Sequence, residues 1–232
     1  MAKYELTILL PCLNEEKNLP DCLIKANKFL KENNINGEVL VSDNGSTDSS
    51  VTIAKSLGAS VINTKEKGYG NALINGIKKA QGKYIIMADS DDSYDFYNIK
   101  EFYNSLKEGY DFVIGNRFQG KMEKGSMPFL NEYIGNPILS YIPRKLFKTP
   151  KYDYHCGLRG GQTKKLKELN LKSSGMELAS EMLIKAFLKE YRIKEIPINY
   201  YKSKYPRKSH LKPFRDSLRH LKVIFKIKNT LK

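Results

Sequence analysis

The sequence predicts an α/β protein on a mostly parallel sheet flanked by helices, and three observations carry that expectation. Short apolar runs alternate with segments of helical periodicity through the first half of the chain, which is the pattern of βαβ units. One run, Tyr84 to Met87, is continuously apolar, as in a strand buried on both faces. Four strand ends carry polar loops containing Gly, Asn or Asp. In a parallel sheet these loops share one edge, the edge where ligands bind.

Glu5 to Leu10 reads as the first strand, ended by Pro11, with the polar loop Cys12-Leu13-Asn14-Glu15-Glu16-Lys17-Asn18 behind it. Pro20 suits a first helical turn, and Leu19, Cys22, Leu23, Ala26, Phe29 and Leu30 keep helical spacing. Glu38 to Val41 is a second strand, running into Ser42-Asp43-Asn44-Gly45-Ser46-Thr47-Asp48. A helix follows to Leu57, closed by Gly58, then a strand from Ser60 to Asn63. Lys67-Gly68-Tyr69-Gly70-Asn71 leads into a helix to Ala80. After the Tyr84 to Met87 strand come Asp89-Ser90-Asp91-Asp92 and a helix of about three turns ending near Glu108. A strand at Phe112 to Gly115, a helix to Lys189 opened by a Ser174–Glu177 capping box, and a strand from Lys194 to Tyr201 complete the fold. Residues 1–200 read as one catalytic domain and 201–232 as a basic, amphipathic tail.

Composition narrows the function. The chain has 232 residues and is 41% hydrophobic, enough for a proper core. Its three cysteines lack CxxC spacing, which points to reduced thiols in the cytoplasm and no zinc site. The N-terminus has no secretory signal pattern, and no stretch approaches the ~20 apolar residues of a membrane span. A net charge of +15 calls for an anionic partner: nucleic acid, a membrane surface or phosphorylated small molecules. No nucleic-acid motif is visible, so nucleic acid is set aside. The first strand lacks the GxGxxG turn of a dinucleotide fold, and there is no P-loop.

Carboxylates crowded at Asp89, Asp91 and Asp92 repel one another, so a cation belongs among them. A hard divalent ion that also holds phosphates is the natural candidate. The motifs in order resemble glycosyltransferase family 2, of GT-A fold. They are Pro11 with Asn14-Glu15-Glu16, Ser42 to Asp48, Gly68-Tyr69-Gly70-Asn71-Ala72 and Asp89-Ser90-Asp91. Gly115-Asn116-Arg117-Phe118, Asp153-Tyr154-His155-Cys156-Gly157-Leu158-Arg159 and the tail resemble the polyprenyl-phosphate (dolichyl-phosphate) hexose synthases. The resemblance implies an inverting transfer of a hexose from a UDP or GDP sugar to polyprenyl phosphate, with Mg²⁺ or Mn²⁺. It implies a nucleotide-sugar site at Pro11, Asn14, Glu16, Asp43, Asn44, Lys67, Gly70, Asp89 and Ser90, with Asp43 on the base. Arg207 and Lys208 would grip the diphosphate, and Asp89 and Asp91 would hold the metal, completed by Asp92 or Ser93.

Arg117 and Arg159 arrive from separate loops and suit an acceptor phosphate, which guanidinium groups hold bidentately. With Asp91 and Asp153 they form the expected catalytic set. Asp153 orients under this reading and becomes the general base if the acceptor is a sugar hydroxyl. His155 reads as structural. Met127 to Phe147 reads as short interfacial helices at the acceptor entrance. In the tail, Phe214, Leu218, Leu221 and Phe225 share one helical face beside Arg215, Arg219, Lys222 and Lys226, as in a helix lying on an anionic membrane. The expected location is peripheral, on the cytoplasmic face. Two other readings compete: a same-fold transferase acting on a sugar hydroxyl, and a non-catalytic membrane-binding protein on the same scaffold.

Overall fold

The structure, a computed structural model, describes residues 2–205 and 213–231, with side chains from 215 onward in the second segment. Arg207, Lys208 and the side chain of Phe214 therefore lie outside the described residues. Seven strands form one sheet in the order β3-β2-β1-β4-β6-β5-β7. They are β1 (Tyr4–Cys12), β2 (Gly37–Asp43), β3 (Ser60–Asn63), β4 (Gly82–Met87), β5 (Phe112–Asn116), β6 (Arg159–Gln162) and β7 (Ile193–Pro197). The helices are α1 (Leu19–Glu32), α2 (Ser50–Ser56), α3 (Tyr69–Lys79), α4 (Lys100–Lys107), α5 (Asn136–Phe147), α6 (Thr163–Glu168), α7 (Leu178–Leu188) and α8 (Pro213–Asn229). Central strands are apolar on both faces: Leu6, Ile8, Leu9, Leu10, Ile85, Ile86 and Met87 are fully buried. Each such side chain contributes about 1.5–3 kcal/mol relative to exposure.

β1 runs two residues past the expected end at Leu10. β4 stops level with Leu9, so the missing N–H of Pro11 costs no bond on that side, and Cys12 still pairs with Asp43. The expected three-turn helix before Glu108 is a 3₁₀ turn (Phe96–Asn98) followed by α4. Asp95 caps that turn by accepting from the Tyr97 N–H at 3.0 Å. β7 ends at Pro197 rather than Tyr201 because its partner β5 ends at Asn116. The capping box does not form: the Glu177 carboxylate accepts from the Gly175 N–H and pairs with Arg219, and α7 starts at Leu178.

β6 is the largest departure. The stretch Gly157 to Gly161 read as a loop, yet Arg159–Gln162 is a strand antiparallel to both β4 and β5. A Cβ on Gly160 would stand 2.5 Å from the Ile85 carbonyl oxygen, so glycine is what allows the close pairing. The reversal sets Arg159 level with Met87, at the edge where β1, β2 and β4 end.

α8 packs against α5 and α7. Asp216, His220 and Ile224 are the buried positions, spaced four apart. The stripe read as apolar thus faces outward, with Leu218 and Phe225 exposed.

Candidate functional site

Two cavities open at this edge. The first, about 260 Å³, lies over the ends of β1 and β2. Pro11, Cys12 and Glu15 line it from the first loop, Asn44 from the second, Lys67 and Tyr69 from the third, and Asp89 and Ser90 from the fourth. Its far wall is Ser174, Gly175 and Met176 with Arg215, Asp216 and Arg219 of α8. Hydrogen bonds fix these loops to one another. The Ser90 hydroxyl donates to the Pro11 carbonyl at 2.7 Å, and the Asn44 side chain accepts from the Gly68 N–H at 2.6 Å and donates to the Glu66 carbonyl at 2.9 Å.

Four residues placed here by sequence do not line this cavity. Asn14 sits in the left-handed region (φ 57°), and its side chain accepts from the Thr47 N–H at 2.7 Å, which staples the first loop to the second. Glu16 accepts from the Ser49 N–H at 3.1 Å, next to the start of α2, and the adjacent Glu15 is the acid that faces the cavity. The Asp43 carboxylate takes the N–H groups of Gly45 and Ser46 at 3.0 and 3.2 Å, so Asn44 presents to the cavity instead. Gly70 is a packing glycine: its N–H donates to Ser174 O at 2.9 Å, and a Cβ would meet Ser173 O at 2.1 Å.

The second cavity, about 400 Å³, continues past Asp89. Asp89, Asp91 and Ser93 line it from the end of β4, Arg117 from β5 and Arg159 from β6, with Met127, Leu139 and Met182 among its apolar wall. Gly157 lets the chain pass against Asp89, since a Cβ there would stand 2.8 Å from Asp89 Oδ2. Asp92 turns away, at φ 63°, to pair with Lys25 on α1 at 2.7 Å, so Ser93 is the neighbour left on the cavity.

The arginines are held differently. Arg117 pairs bidentately with Asp153, Nε to Oδ2 at 2.7 Å and Nη2 to Oδ1 at 2.8 Å, and its backbone N–H adds a third bond to Oδ2. Asp153 is therefore an internal partner, buried and absent from the cavity wall. Arg159 donates to the carbonyls of Cys156, Tyr154 and Ala179. Among the described residues it makes no ion pair, so its charge is unmatched by a contacting carboxylate. Near them is a residue that sequence reasoning set aside: among the described residues neither ring nitrogen of His155 has a hydrogen-bond partner, and the ring, packed edge-to-face on His220, lines the cavity. Burial, with His220, Arg117 and Arg159 nearby, holds its pKa well below the usual histidine range. Tyr69 is pushed far up by burial and the Asp89 charge, so its hydroxyl stays protonated. Burial also raises the Cys12 thiol to about 11, which keeps it an inert wall residue.

Among the described residues no three His, Cys, Asp or Glu side chains cluster to hold an ion unaided. Asp89 and Asp91 nevertheless share a cavity wall. Two carboxylates suit a hard cation whose remaining ligands are water and diphosphate oxygens. The donor set thus fits a metal that arrives with a nucleotide.

The sequence model of glycosyl transferase family 2 matches residues 7–169. The low-salt glycan biosynthesis hexosyltransferase Agl6 of Haloferax volcanii is 36% identical over 222 residues, 94% of this chain and 52% of that protein. Glycosyltransferase AglJ of the same organism is 30% identical over 210 residues, 90% of this chain and 67% of that protein. The chain thus spans about half the length of the first relative and two-thirds of the second. In fold it is similar to glucosyl-3-phosphoglycerate synthase from Mycobacterium tuberculosis, crystallised with Mn²⁺, UDP-glucose and phosphoglyceric acid. The TM-score is 0.75 at 18% identity, covering 98% of this chain and 81% of that one. Sheet order, loop edge and family match agree: the chain belongs to glycosyltransferase family 2 and has its GT-A fold.

Proposed function

We propose that the protein is an inverting, metal-dependent hexosyltransferase that moves a sugar from a UDP- or GDP-linked donor to polyprenyl phosphate at the cytoplasmic face of a membrane. The observation that carries this reading is a pair of cavities meeting at Asp89, the second of which brings Asp91 and Arg159 to one wall-lined space. The nucleoside lies in the first cavity, against Pro11, Glu15, Asn44 and Lys67. Mg²⁺ or Mn²⁺ at Asp89 and Asp91, when bound, neutralises charge on the departing diphosphate.

The acceptor enters from the second cavity, on the opposite side of the sugar from the leaving group, which gives inversion. Both Asp153 oxygens are committed to Arg117, so Asp153 takes no proton from the acceptor. A phosphate monoester needs no base, because its second pKa of about 6 leaves it largely dianionic at neutral pH. What it needs is a fixed positive charge, and Arg159, held in place by the carbonyls around it, supplies one. Mycobacterial glucosyl-3-phosphoglycerate synthase, of like fold, holds an anionic phosphorylated acceptor, phosphoglyceric acid.

The exposed surface supports the membrane part of this reading. Phe129, Leu130, Tyr133, Ile138 and Tyr141 stand half or more exposed before and along α5, and Leu218 and Phe225 are exposed on α8, which packs beside it. Lys222 and Lys226 flank Leu218 and Phe225. Among the described residues no helix is long and apolar enough to cross a membrane, and we read these exposed side chains as an interfacial contact.

One observation favours a second reading, transfer to a sugar hydroxyl. His155, whose ring nitrogens accept no hydrogen bond among the described residues, lines the second cavity and is the side chain there that such an acceptor would use as its base. The test is transfer of labelled sugar from UDP-glucose and GDP-mannose to polyprenyl phosphate, to polyprenol and to free oligosaccharide, with and without EDTA. Label reaching polyprenyl phosphate only with metal present supports the proposal. Transfer to oligosaccharide and never to the lipid phosphate supports the second reading.

A further inference from the structure

We infer that Asp216, from the first turn of α8, accepts hydrogen bonds from hydroxyl groups of the donor's hexose and so helps select the sugar. The inference rests on the nucleotide-sugar reading above. Four residues line both cavities: Tyr69, Asp89, Met176 and Asp216. A nucleotide sugar must lay its nucleoside in one cavity and turn its anomeric carbon toward the other. Its hexose therefore lies along the shared wall.

The chemistry of that wall divides cleanly. Asp89 belongs to the β4 loop and the diphosphate. Tyr69 and Met176 offer apolar surface to a ring face. Asp216 comes from a different element, is 4% exposed, and is the sole acid of α8. A carboxylate has about four acceptor sites, so one already held within the protein still takes a substrate hydroxyl. An ionised carboxylate only accepts hydrogen bonds. It suits a polyol, whose hydroxyls donate.

The position is also well anchored. One turn on, Arg219 Nη2 bonds Glu177 at 2.7 Å and Ser174 at 2.8 Å, which fixes α8 to the wall that carries Met176. Arg215 Nε holds Asp216 Oδ1 at 3.3 Å. A site built around a substrate hydroxyl discriminates strongly against an analogue that lacks or inverts it.

Calorimetry with Mn²⁺ present separates the possibilities. UDP, UDP-glucose, GDP and GDP-mannose are titrated into wild type, Asp216→Ala and Asp216→Asn. The expected result is that both variants weaken the preferred sugar nucleotide by about 10- to 100-fold and bind its parent nucleotide as the wild type does. Unchanged nucleotide binding also shows that the variants fold. If the alanine variant does not fold, the asparagine variant, of equal volume, carries the test. Equal losses for nucleotide and sugar nucleotide, or no loss for either, overturn the assignment. Failure of the wild type to bind any of the four overturns the nucleotide-sugar reading itself.

Discussion

At Asp91 the site is a single side chain at the end of an apolar strand, and its substitution should be silent for the fold. Asp91→Asn is expected to lower transfer by about two to three orders of magnitude with little change in thermal midpoint, measured by labelled-sugar transfer and calorimetry. Arg117 behaves in the opposite way. Removing it strands the buried Asp153 charge, so Arg117→Ala should cost about 3–5 kcal/mol in denaturant unfolding, and Arg117→Ala with Asp153→Ala less than the sum of the two. His220 links the fold to pH. Burial lowers its pKa from 6.5 to about 4, while its Nδ1 is hydrogen-bonded to Ser180 at 2.8 Å. Between those values the unfolded chain binds a proton that the folded chain does not, so stability falls as pH drops from 6.5 toward 4. Unfolding at pH 7 and pH 5 should differ by about 2 kcal/mol from this group, and His220→Asn should flatten that difference. The place of a side chain was legible where a strand end sets it, as with Asp89 and Asp91 on the cavity beyond β4. It was not where neighbouring residues share a type: only the turn at Asn14 decides that Glu15, not Glu16, faces the cavity. Asp216 was hidden because its burial depends on which face of α8 docks.

The elements of the βαβ half could be read because each apolar run and each helix is local. β6 could not, since Arg159–Gln162 is short, glycine-bearing, and becomes a strand only by filling the gap between β4 and β5. Gly70 shows the same dependence on distant chain. Its motif read as a nucleotide contact, yet its lack of a side chain is demanded by the passage of residues 173 and 174. Gly70→Ala should therefore destabilise by about 1–3 kcal/mol in chemical denaturation. α8 docks through Asp216, His220 and Ile224, which leaves Leu218 and Phe225 of the apolar stripe outward, the side that an interfacial helix requires. Arg219 is drawn inward to Glu177, and the exposed Arg215 pairs with Asp216, so Lys222 and Lys226 are the outward cations to test. Replacing those two with Gln should weaken binding to anionic vesicles by about 30-fold, at about 1 kcal/mol per cation. Leu218→Ser with Phe225→Ser should weaken it at every salt concentration. Sedimentation with vesicles measures both.

For the molecule as a whole, the sheet delivers acids from β4 and a guanidinium from the reversed β6 to the same edge, and α8 closes the far wall. The proposed meeting of a charged donor and a charged acceptor rests on that convergence, not on any single motif. The fold class and the loop edge were legible from the alternation of strand and helix. The partition into two cavities was not, because it depends on residues 174–176 and α8 returning across the first half. The most direct test of this account is an anomalous difference map from crystals soaked with Mn²⁺ and the preferred nucleotide sugar. It predicts a manganese peak bonded to Asp91 or Asp89 and to the diphosphate, with the sugar against Asp216. A nucleotide bound elsewhere, or bound there with no metal against either acid, would contradict it.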